Sequence, residues 1–149
     1  MRFRYRSIVV AVQDGDFLVI ERPEIPLKLI GPHDSSIVRG LVDTGADYTI
    51  LPTSVADSLG IPLRLAHGMD AKGFGGQRVA LLEGEIVMEL GSDDETIRWS
   101  DTVCFHDFAD AADESIVLGH AGFPNYFTAT LDGLEGLLTL APNIELPAC

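Results

Sequence analysis

The residue best placed to do chemistry is Asp43, in Leu41-Val42-Asp43-Thr44-Gly45-Ala46-Asp47. It ends an apolar β-type run and is followed at once by a turn. A carboxylate so placed can take the proton of an attacking water, while a second, protonated carboxylate donates toward a peptide carbonyl. Two such groups must sit too close for both to ionise, so the pair shares a proton. The neighbours have physical tasks in that chemistry. Leu41 and Val42 bury the strand and keep water out. Thr44 supplies a hydroxyl beside the carboxylate. Gly45 permits close backbone approach and an unusual φ, so that its amide donates to Asp43. Ala46 is small enough for tight packing below. Read alone, the tripeptide is equally an ordinary strand-to-loop turn in which Asp43 caps the backbone.

Two other stretches stand at suggestive spacing. Gly73-Phe74-Gly75-Gly76 begins thirty residues after Asp43 and lacks the Lys-Ser/Thr of a phosphate loop. Ile116-Val117-Leu118-Gly119-His120 is an apolar run closed by glycine. With Leu41 through Pro52, these resemble, in order and spacing, the retropepsin-type aspartic proteases, nearest a bacterial single-domain member, from roughly Ser36 to Leu140.

That resemblance implies an all-β, closed β-barrel-like acid protease (retropepsin) fold with one or two short helices, and an aspartic endopeptidase. Asp43 would be catalytic, in the active-site turn of Thr44, Gly45 and Ala46. Asp47, Gly73, Phe74, Gly75 and Gly76 would meet substrate, the last four as a flap. Leu118, Gly119 and His120 would support the turn. Thr44 would bridge to a partner's equivalent loop. No other Asp precedes Thr/Ser-Gly, since Asp101-Thr102 is followed by Val103. One turn gives one carboxylate, so the resemblance implies a symmetric homodimer with Asp43 from each subunit. Many relatives carry Arg where this chain has His120, and His120 reads either as the partner of Asp47 in its place or as a capping or buried histidine. The competing reading is a non-catalytic peptide-binding or dimerisation module of the same fold.

The rest of the chain must position these groups. Its 149 residues are the size of one domain. Residues 36–140 read as the family-like core, with 1–35 as an extension or hairpin packed on it. Hydrophobic residues make up 46% and aromatics 7%, which excludes a disordered chain and fits an aliphatic β core. Ser7–Gln13 and Phe17–Glu21 flank Asp14-Gly15-Asp16, a hairpin signal. Pro52–Gly60 reads as a short helix, capped by Thr53 or Ser54 and ended by left-handed Gly60, with Val55 and Leu59 inward. Val79–Leu90 is one bent strand or two, with Gly84 at the bend. Phe127–Leu131 and Leu137–Leu140 flank Asp132-Gly133 as a last hairpin.

Ten basic against 23 acidic residues give a net charge of −13. Such a surface repels nucleic acid and anionic lipid, so neither is an expected partner. Its plain reading is solubility and its functional one attraction of basic peptides, while the resemblance implies a peptide or protein substrate. No apolar run approaches the roughly 20 residues of a membrane span. Cys104 and Cys149 fit neither a disulfide framework nor a metal spacing, and His33, His67, His106 and His120 are scattered. No metal or cofactor is expected, and the chain reads as cytoplasmic.

Overall fold

The computed structural model describes residues 1–11, 15–72, 78–92, 95–111 and 114–149, without the side chains of 68–72 and 78. The flap expected at Gly73, Phe74, Gly75 and Gly76 lies outside the described residues, as does part of the Asp14 turn.

Strand character follows alternation. β4 (Glu24–Ile30) turns Ile25, Leu27 and Leu29 inward, each at most 1% exposed, and Glu24, Pro26 and Lys28 outward. The other barrel elements are β5 (Ser35–Val42), β6 (Ile50–Pro52), β7 (Arg64–Lys72), β8 (Arg78–Gly91), β9 (Thr96–His106) and β10 (Val117–Leu118). They form one sheet in the order β4-β5-β10-β6-β9-β8-β7. β8 also pairs with β4, Leu29 opposite Met88, so the ladder returns to its first strand. The fold is all-β and barrel-like.

Val79–Leu90 is part of one strand, and Gly84 marks a change of face. Leu81 is buried on one phase, and Ile86, Met88 and Leu90 on the other. A Cβ at Gly84 would stand 2.9 Å from both Ile61 and Leu63. The first part of β8 pairs with β7, and the later part closes the barrel on β4.

A short α-helix, α1 (Thr53–Leu59), follows β6. Gly60 ends it at φ 70°, as expected. Its start differs from expectation: Pro52 is the cap residue and no side chain caps it. The Thr53 and Ser54 hydroxyls reach instead for Asp107 and Glu114, carboxylates brought near by the fold. Ala56 and Leu59 are the buried helix residues.

A second sheet holds β1 (Arg2–Arg4), β11 (Phe127–Asp132) and β12 (Leu137–Pro142), in the order β1-β12-β11. Phe127 joins Trp99 and Phe123 in an aromatic cluster with centroids 5.0–5.8 Å apart. Among the described residues, β2 (Arg6–Ala11) and β3 (Phe17–Arg22) pair with one another and with no other strand. No helix among the described residues is long and apolar enough to cross a membrane.

Candidate active site

Asp43 leaves the C-terminal end of β5. Its amide donates to the Leu118 carbonyl at 3.1 Å, and Leu41 is bonded likewise to Ile116. β10 lies parallel to β5, with Val117 beside Leu41 and Leu118 beside Val42. Val42 and Leu118 are buried, at 4% and 0% exposure. Apolar packing therefore fixes the strand immediately beneath the carboxylate.

The turn folds back on Asp43. The Gly45 amide donates to Asp43 Oδ1 at 2.8 Å, and the Ala46 amide to the Asp43 carbonyl at 3.3 Å. Gly45 does not adopt a positive φ, contrary to expectation. What it provides is room, since a Cβ there would stand 3.2 Å from Asp43 Oδ1. Asp43 is half-buried, while Thr44, Gly45 and Asp47 are exposed. The turn thus presents itself at the surface of the single chain.

Beneath it lies Gly119. A Cβ there would fall 2.2 Å from the Tyr48 carbonyl oxygen and 2.8 Å from that of Ala46, so only glycine fits. The two passing segments are stitched together. The amides of His120 and Ala121 donate to the carbonyls of Ala46 and Asp47, each at 2.9 Å. Thr49 returns the bonding: its amide donates to Ala121 at 2.8 Å, and its hydroxyl to Gly119 at 3.2 Å.

His120 does not pair with Asp47. Its Nε2 lies 3.0 Å from the Thr44 carbonyl oxygen, and its Nδ1 3.3 Å from Asn125 Oδ1. A carbonyl only accepts, so Nε2 carries a proton in this contact. The Ala46–His120 and Asp47–Ala121 bonds already hold the two segments in register, which directs the ring onto the turn's backbone. Thr49, fully buried, and Asn125 were not singled out from sequence. Thr49 does have a local signal, a polar residue amid Tyr48, Ile50 and Leu51, whereas nothing local marks Asn125.

On β5, Leu41 shares a face with Asp43, because Val42 between them turns inward. Leu41 lines a cleft of about 460 Å³ with Val117, Val55, Arg6, Arg22 and Arg39. Glu24 and Glu114 line it as well, so three arginines and two carboxylates face the cleft beside its aliphatic side chains.

Residues 29–92 match the family model described as Aspartyl protease, a stretch that includes the whole Asp43 turn. Among solved structures, this chain is similar to the EIAV protease complexed with the inhibitor HBY-793. Identity is 21% over 66% of this chain and 82% of that one, with a TM-score of 0.48. It is also similar to the retroviral protease-like domain of Ddi1 from Leishmania major. There the identity is 21% over 85% of this chain and 92% of that one, with a TM-score of 0.49. No curated protein matches at a significant level.

Proposed function

We propose that the chain is an aspartic endopeptidase acting as a symmetric homodimer. Water is activated between Asp43 and the partner's Asp43, one ionised and one protonated. The ionised carboxylate takes the water's proton. The protonated one donates toward the peptide carbonyl, and attack on the carbonyl carbon gives a tetrahedral intermediate. Return of a proton to the nitrogen releases the two peptides.

The observation that carries this reading is the Asp43 turn itself. Its carboxylate is oriented by the Gly45 amide at 2.8 Å, and its strand is fixed by buried Val42 and Leu118. Thr44 and Gly45 are left at the surface, where an identical turn can meet them. Asp47 beside the turn and the cleft next to Leu41 would hold an extended peptide. Residues 73–76 would cover it and exclude water. The reading keeps residues 1–149 as one domain, and keeps the cytoplasmic location expected for the free thiols Cys104 and Cys149.

Digestion of a peptide library at several pH values, with wild type beside Asp43→Asn, tests the proposal. Cleavage that is lost in the variant supports it. Cleavage that survives the substitution rejects Asp43 as catalytic. A verified wild-type dimer that cleaves nothing would favour the peptide-binding module.

A further inference from the structure

The β2–β3 ribbon carries the largest contiguous group of exposed apolar side chains among the described residues. Val9, Phe17, Leu18 and Val19 are 64%, 74%, 51% and 59% exposed. In the register, Val9 opposes Val19 and Ala11 opposes Phe17, while Ile8 opposes Ile20 and Val10 opposes Leu18. Cross-strand partners share a face, so both faces of the ribbon are apolar. A two-stranded ribbon alone is only marginally stable in water. Contiguous apolar exposure of this kind marks a surface that another body covers.

The ribbon's root identifies that body. Arg6 and Arg22 stand opposite one another and both reach Glu24, at 2.9 and 3.9 Å. Glu24 pairs with Leu41, and the Pro23 carbonyl accepts the Val42 amide at 3.0 Å. The ribbon therefore springs from the body beside the strand that carries Asp43. Six residues per strand make it roughly 20 Å long, enough to cross onto a chain whose own Asp43 meets this one.

Charge points to the same occupant. The first 22 residues hold four of the chain's ten basic residues, Arg2, Arg4, Arg6 and Arg22, against Asp14, Asp16 and Glu21. The remaining residues hold six basic and twenty acidic ones. Two such bodies repel. The first 22 residues, with four basic and three acidic side chains, are near neutral and can approach the acidic body of another copy without that repulsion.

We propose that the β2–β3 ribbon is a dimerisation arm that seats on a second copy of this chain, next to that copy's Asp43 turn. The proposal rests on the homodimer reading above and adds to it the element that holds the two chains together. The expected interface is apolar burial by Val9, Phe17 and Val19.

Sedimentation equilibrium of the full chain beside the double variant Phe17→Gln/Val19→Thr tests it. Both positions are exposed, and both replacements suit a strand, so the body should fold as before. The dimer dissociation constant should rise by at least about tenfold. An unchanged constant overturns the arm and leaves the homodimer reading standing. A wild type that stays monomeric at high concentration overturns both. An arm-dependent dimer that cleaves no peptide upholds the arm and counts against the protease alone. Amide exchange on the wild type gives a check without substitution. Exchange at residues 8–10 and 18–20 should slow as concentration rises into the dimer range, and equal rates throughout would overturn the arm.

Discussion

His120 Nε2 sits 3.0 Å from the carbonyl oxygen of Thr44, so an imidazole N–H supports the Asp43 turn through its backbone. The ring reaches this carbonyl because the His120 amide is already pinned to Ala46. His120→Ala removes the donor from an exposed carbonyl that water can solvate. The expected loss in stability is therefore small, about 0.5 kcal/mol in urea denaturation. The larger effect should fall on peptide cleavage, since Thr44 adjoins the carboxylate. His120→Gln, which retains an N–H of similar reach, should recover part of that activity. Equal activity in wild type and His120→Ala would remove His120 from the support of the turn.

Gly119→Ala should be far more costly to the fold. The new methyl would meet Tyr48 backbone at 2.2 Å, and neither segment can retreat without breaking its mutual hydrogen bonds. A loss of about 3 kcal/mol or more is expected in urea denaturation. Gly133 is the matched control, since a Cβ there would meet nothing within 4 Å. Gly133→Ala should stay within about 0.5 kcal/mol of wild type. Similar losses at the two positions would contradict the close crossing under the turn.

Thr49→Val keeps shape and removes the hydroxyl that donates to Gly119 at 3.2 Å in a fully buried position. The Gly119 carbonyl then lacks that donor, and a loss of about 1–2 kcal/mol follows. Stability equal to wild type would mean that this bond contributes nothing to holding the two segments.

The thiols should separate by reactivity. Burial, with the Glu83 charge adding to it, raises the Cys104 thiol from the ordinary 9.0 to about 11, whereas Cys149 is exposed. One thiol per chain should react with a small alkylating reagent at pH 8 under native conditions, and two after unfolding. Below 9.0 the Cys104 thiol is neutral in both states, so its contribution to stability is intact. Between 9.0 and about 11 the unfolded chain gives up a proton that the folded chain keeps, so this contribution falls as pH rises. A Cys104→Ala chain should show a weaker loss of stability over that alkaline range. Two native thiols reacting at equal rates would contradict the burial.

Much of this arrangement was legible in sequence because local patterns carried it. Alternating Ile25, Leu27 and Leu29 mark a strand, Gly60 marks a helix end, and Asp132-Gly133 marks a hairpin. The order of Asp43-Thr44-Gly45 and Leu118-Gly119 marked the turn and its support. What escaped depends on distant parts of the chain. The caps expected from Thr53 and Ser54 went to Asp107 and Glu114, which only folding brings close. The His120–Asp47 reading gave way to a Thr44 contact, since the direction of a ring depends on register rather than on residue type. Closure of the sheet through Leu29 and Met88, far apart in the chain, left no local mark.

The central claim is that Asp43 is half of a shared dyad. It is tested most directly by mixing wild-type chains with Asp43→Asn chains at constant total concentration, allowing subunits to exchange, and measuring peptide cleavage. A shared dyad makes every mixed dimer inactive, so total activity should fall as the square of the wild-type fraction. Activity that falls only in simple proportion to that fraction would show each chain working alone, and would contradict the account.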